Sequence, residues 1–133
     1  MLNVDTTNTA IISKNFNYPF DSSDYDPSTL NQTDIEQIER SLIELVTDYN
    51  KSLSQGHEDY KIDLNGKDYK KQLVAVKNPK GEKEVWVNCL CDDSSRPWRT
   101  QIVWVEDGGP CFFNFKLNLT TKEVYEFVVN GFA

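Results

Sequence analysis

The chain has one histidine, His57, and one methionine in 133 residues. A single imidazole excludes a multi-histidine metal centre and leaves any Cys–His catalytic pair dependent on that one residue. Long apolar runs are also missing, and nothing approaches the roughly 20 residues of a membrane-spanning helix. Basic side chains are few: 14 Lys and Arg stand against 21 Asp and Glu, giving a net charge of −7. No stripe of Lys and Arg is present to meet phosphates, which argues against nucleic acid and anionic membrane surfaces as partners. Gly-rich phosphate loops, Gly-x-Ser-x-Gly elbows and Walker patterns are absent. With six glycines and five prolines the chain has no low-complexity linker, and its length predicts one domain with a sizeable core.

Cysteine is scarce and odd in number, with three in all. That count favours a reducing compartment. Cys89 and Cys91 are two apart and would share a strand face, a poor arrangement for a disulfide between neighbours. Cys89, Cys91 and Cys111 all fall on alternating positions expected to face the core, where a thiol acts as a small hydrophobe. The segment Met1-Leu-Asn-Val-Asp5 is polar, so no signal peptide is expected, and the expected location is cytoplasmic. His57 follows Gly56 beyond a helix and reads as a solvated residue. The acid pairs Asp92-Asp93 and Glu106-Asp107 sit beside turns and are expected to serve turn geometry. No catalytic residue, metal ligand or cofactor site is expected.

Aromatic residues are plentiful, with three Trp, six Tyr and seven Phe. The negative charge concentrates in residues 1–58, and the remainder is neutral. Residues 1–32 form an irregular leader whose Ile11, Ile12, Phe16, Tyr18 and Phe20 are expected to dock on the body, with a short strand near residues 9–13. Thr33 and Glu36 have capping-box spacing. Ile35, Ile38, Leu42, Leu45, Val46, Tyr49 and Leu53 recur on one helical face, which predicts a helix over residues 33–55 ending at Gly56. From Asp59 onward the signals are β. Strands are expected at residues 60–64, 69–77, 83–91, 101–106, 111–119 and 124–129, with turns at Asn65-Gly66, residues 78–81 and Asp107-Gly-Gly-Pro110.

One helix before an antiparallel meander of four to five strands is an α+β arrangement, in which the helix covers one sheet face only. Pairing across residues 107–110 sets Trp104 opposite Phe113 as core. Pairing across residues 78–81 sets Val74 opposite Val85, and Leu73 opposite Trp86 on the other face. A second face bearing Leu73, Trp86, Leu90, Val103, Val105 and Phe112 exceeds the apolar patch a monomer ordinarily exposes. The leader, a protein partner or a second copy would cover it. The loop with Arg96, Trp98 and Arg99 adds residue types enriched at binding hot spots. The expected partner-binding residues are therefore Leu73, Trp86, Arg96, Trp98, Arg99 and Phe112.

The helix-then-meander order over residues 9–133 resembles the cystatin-like fold. Gln72-Leu-Val-Ala-Val76 is similar to the Gln-x-Val-x-Gly hairpin of cysteine-protease inhibitors, with Val in place of Gly. Pro97-Trp98 is similar to their second loop but lies two strands too early. The segment Asp107-Gly-Gly-Pro-Cys-Phe-Phe113 and the ending Val-Asn-Gly-Phe-Ala133 resemble small bacterial proteins of this fold. The residues themselves point to a non-catalytic binding protein that meets a protein partner through the second sheet face or the Arg96–Arg99 loop, or self-associates through that face; in concrete form it is an inhibitor or immunity type whose acidic helix and leader meet a basic partner. The competing expectations are a cone-shaped pocket lined by Trp86, Trp104 and Phe113, and a structural homodimer.

Overall fold

The computed structural model describes residues 7–13, 18–21, 23–92 and 96–132. Its single long helix, α1 (Gln32–Ser52), starts one residue earlier than the sequence suggests, because Asn31 takes the capping role expected of Thr33. The Asn31 side chain accepts the Asp34 N–H at 2.8 Å, and the Asp34 carboxylate accepts the Asn31 N–H at 2.9 Å. Asn caps a helix at least as well as Thr. Asp34 also accepts Lys83 Nζ at 2.7 Å, which ties the helix start to the sheet. At the other end the helix stops at Leu53, before Gly56. Asn50 in its last turn holds Ile62 through both backbone groups, at 2.8 and 2.9 Å.

Among the described residues six strands make one sheet: β1 (Thr9–Ile11), β2 (Asp26–Pro27), β3 (Lys70–Lys77), β4 (Lys83–Leu90), β5 (Phe112–Asn118) and β6 (Val124–Val129). Their order is β1-β3-β4-β5-β6, with β2 on the same edge of β3 as an antiparallel partner. All pairings are antiparallel except β1 with β3. The α+β class and the mainly antiparallel sheet agree with expectation, and the leader supplies two of the strands. Phe16 lies outside the described residues, whereas Ala10, Ile12 and Phe20 are buried.

Two expected strands do not form. Residues 58–60 make a 3₁₀ turn. Beyond it, the backbone of residues 60–62 bonds to helix side chains in place of a neighbouring strand: Tyr49 Oη donates to Tyr60 O at 2.8 Å, and Asn50 grips Ile62. Residues 101–106 are likewise irregular, so the expected opposition of Trp104 and Phe113 is absent. The β3–β4 register also differs from the expected one. Asn78 closes a longer turn, with Lys77 opposite Lys83, so Leu73 opposes Val87 and Val74 opposes Trp86. A one-residue slip exchanges the faces of one strand relative to the other. Leu73 therefore faces the helix, while Trp86 faces away from it.

The helix side is a conventional core. Ile35, Ile38, Leu42 and Val46 meet Leu73, Val85, Val87, Phe113, Phe115 and Leu117, all buried, and each such side chain contributes roughly 1.5–3 kcal/mol. On the other side Trp86, Val74, Val76 and Leu90 are buried under Phe20 from the leader and under Trp98 and Val103 from the β4–β5 connection. The chain thus covers much of its own second face.

Candidate functional site

Of the six residues expected to meet a partner, Leu73, Trp86 and Trp98 are buried, Phe112 is half-buried, and Arg96 and Arg99 are exposed. Leu73 is core beneath the helix, which corrects its expected place on the second face. Trp86 is 1% exposed, and its indole N–H donates to Asn114 Oδ1 at 3.3 Å. Trp98 is buried as part of the cover, with the Arg99 guanidinium 4.5 Å from its ring centre and Lys70 Nζ at 5.7 Å. Arg99 also donates to Thr7 O at 3.0 Å. Phe112 is half-buried in the same cluster, and Arg96 is exposed. Arg99 and Trp98 therefore hold the cover in place rather than presenting a hot spot. Gln72, the first residue of the inhibitor-like motif, is buried in mid-strand and points into the second-face cover rather than into a loop.

The cysteines also depart from expectation. Cys91 and Cys111 form a disulfide with Cα atoms 5.0 Å apart, because the β4–β5 register ends at Leu90 opposite Phe112 and leaves the next pair adjacent. Cys89 alone is free and buried. Burial pushes its thiol well above the ordinary range, which makes it a poor nucleophile. His57 is exposed beside Tyr60, with ring centres 6.3 Å apart. Asp92 is exposed, and Asp93 lies outside the described residues. Among the described residues no three His, Cys, Asp or Glu side chains converge as a metal site, and no helix is long and apolar enough to cross a membrane.

What stays open on the second face is a cleft over β5 and β6. Residues 101–106 are held by amide side chains rather than by a strand ladder. Gln72 Nε2 donates to the carbonyls of Trp98 and Gln101, each at 2.6 Å, and Gln72 Oε1 accepts the Val103 N–H at 2.9 Å. Asn88 donates to Val103 O at 2.8 Å, and Asn130 donates to Val105 O at 2.5 Å. With the backbone fixed on both sides of it, Trp104 projects outward and is 53% exposed. Tyr18, 45% exposed, stands edge-to-face against Trp104 at 5.1 Å and against Trp86 at 5.6 Å. Val128, Asn114, Lys116 and Glu126 complete a cleft of about 120 Å³.

Glu126 reaches this cleft through a bulge. It takes φ +50°, and the β5–β6 register shifts between Asn114 and Lys116. A bulge re-aims the side chain it carries. The Glu126 carboxylate accepts Lys116 Nζ at 2.7 Å. The same ammonium lies 4.9 Å from the Phe20 ring and 5.9 Å from that of Tyr125. Burial, then the Glu126 charge, raises the Tyr18 phenol above its ordinary range. Sequence reading missed Trp104 and Tyr18 as surface residues. Both sit in alternating or irregular runs that look the same whether exposed or buried.

Two other hollows are accounted for structurally. A groove of about 810 Å³ between the helix and residues 58–69 is lined by charges of both signs, with Lys71 Nζ on Glu39 at 2.9 Å. At the far sheet end, Glu84 is buried and accepts from the Tyr125 hydroxyl and from Asn78 Nδ2. Hydrogen bonds from Asn78 and Asn118 hold the neighbouring Glu82 carboxyl below its usual range. These side chains join the β3–β4 and β5–β6 turns. Trp86 and Phe113 lie on opposite sheet faces and cannot line one cavity, which corrects the expected cone-shaped pocket. Compared with known proteins, the chain matches no family model, no curated protein and no solved structure.

Proposed function

We propose that this chain is a non-catalytic binding protein, of inhibitor or immunity type, that meets a protein partner through the Tyr18–Trp104 cleft. One observation carries this reading: two large aromatic rings, Tyr18 and Trp104, stand about half exposed and edge-to-face on the second sheet face. Aromatic side chains held rigid at a surface lose little entropy on binding and dominate interface energetics. A buried thiol and a lone exposed imidazole support the non-catalytic reading. A single helix against a mostly antiparallel sheet supports the cystatin-like likeness, but the inhibitor motif does not contribute to it. The disulfide favours an oxidising compartment over the cytoplasm expected from the cysteine count. Self-association through the whole second face is the less favoured reading, because the chain covers much of that face itself.

Affinity capture from the native source tests the reading with wild type, Trp104→Ala and a control at the exposed helix residue Ile43→Ala. The expected result is a protein retained by wild type and by Ile43→Ala and lost by Trp104→Ala, with all three giving the same far-UV circular dichroism. Retention by all three refutes the proposed surface.

A further inference from the structure

Resting on that reading, we infer that the Tyr18–Trp104 cleft receives the arginine side chain of a basic protein segment. The cleft is lined by the rings of Tyr18, Trp86 and Trp104, and in each contact of Tyr18 with a Trp an edge of one ring meets a face of the other, at 76° for Trp104 and 80° for Trp86. A cation is attracted to such faces by the ring quadrupole, most strongly to Trp. At the mouth of the cleft stands Glu126, whose side chain is 62% exposed. One of its carboxylate oxygens accepts from Lys116, and a carboxylate has about four lone-pair sites, so it has capacity for a second donor.

The surface already holds one cation in this manner. Lys116 is bound by the Glu126 carboxylate and lies over two aromatic rings, the arrangement assigned to the incoming side chain. Charge favours a basic partner as well. The two charges that line the cleft, Glu126 and Lys116, are paired with each other, and the whole chain carries −7. Such a field speeds encounter with a basic surface and weakens with salt. Arginine fits better than lysine because its flat, weakly hydrated guanidinium stacks on rings and offers paired donors to a carboxylate. The cleft, about 120 Å³, is smaller than the roughly 300–1,000 Å³ of a pocket for a whole small molecule.

Isothermal titration calorimetry with the acetylated, amidated peptide Gly-Arg-Gly-Arg-Gly is the test, with the same peptide carrying uncharged citrulline as its isosteric control. The arginine peptide is expected to bind about tenfold more tightly than the citrulline peptide, with a similar loss in Trp104→Ala. Glu126→Gln is expected to weaken binding severalfold. Glu44→Gln removes the same charge from the exposed helix face and is expected to change nothing. Equal affinity for both peptides, unchanged affinity in Trp104→Ala, or equal effects of Glu126→Gln and Glu44→Gln overturns the inference. Dimerisation abolished by Trp104→Ala, with no peptide heat, overturns it too and makes a second copy the occupant. If the capture pattern above holds while the peptides are not distinguished, the protein-binding surface stands and only the arginine assignment falls.

Discussion

At Gly109 the backbone takes φ +66°, and a Cβ built there would stand about 2.4 Å from the nearest ring carbon of Phe132. Gly109→Ala therefore meets a backbone penalty and a steric one together, and it is expected to destabilise the fold by roughly 3 kcal/mol. Gly81 is the comparison. Its φ is +80° with open space around the Cβ position, so Gly81→Ala is expected to cost only about 1 kcal/mol. Urea denaturation of the two variants checks the difference, and equal losses would show that the ring contact carries no weight. The turn at Asp107-Gly-Gly-Pro110 was legible in the sequence from its residue types. Its reason was less so: Phe112 lies over Gly108 and Phe132 over Gly109, and the second contact joins residues far apart in the chain. Local chemistry marks where a chain turns, whereas the ring that makes glycine obligatory arrives from elsewhere in the fold.

Among the elements, β5 was legible from the alternation of Phe113, Phe115 and Leu117 with polar residues, and β6 from its run of β-branched and aromatic residues. The helix was legible from the spacing of its apolar face, with only its cap displaced. Residues 101–106 are likewise rich in β-branched and aromatic residues and yet form no strand. The difference lies in the amides of two other strands: Gln72 on β3 and Asn88 on β4 are buried beside Val74, Trp86 and Leu90. A buried amide must find partners, and these two find them in the backbone of residues 98–103, which then has no need of a ladder. These amides were the available signal, and reading it requires knowing what lies across from them. Gln72→Leu keeps the volume but strips partners from the carbonyls of Trp98 and Gln101 and from the Val103 N–H. The expected loss is roughly 3 kcal/mol or more. Near-UV circular dichroism should show Trp98 losing its fixed environment while the helical far-UV signal persists at low denaturant. An unchanged near-UV spectrum would mean that apolar packing alone seats the cover.

On the scale of the whole molecule, two segments far apart in sequence close over one sheet face, the leader near Phe20 and the β4–β5 connection near Trp98. The connection leaves the sheet after Leu90 and returns at Phe112, and the Cys91–Cys111 bond ties its two ends across a sequence separation of 20. Even the backbone is joined there, with the Cys91 N–H donating to Cys111 O at 2.9 Å. The pairing was hidden from sequence reading because it follows from β4 lying beside β5. Residues 101–106, read as a strand, took that place and moved Cys91 away from Cys111. A tie closing a loop of this length stabilises by about 3 kcal/mol, chiefly by restricting the unfolded chain. Replacing both cysteines with serine should lower the unfolding free energy by that order. Because the tie closes the cover and not the helix layer, native-state hydrogen exchange should accelerate first in residues 96–105 and at β4 amides beneath them. Helix amides bonded within Gln32–Ser52 should keep their protection until global unfolding. Equal acceleration in helix and cover would show that the two faces open as one unit. Earlier exchange in the cover would make it a separable layer, and since that layer sets the position of Trp104, binding at the cleft would depend on the oxidised state.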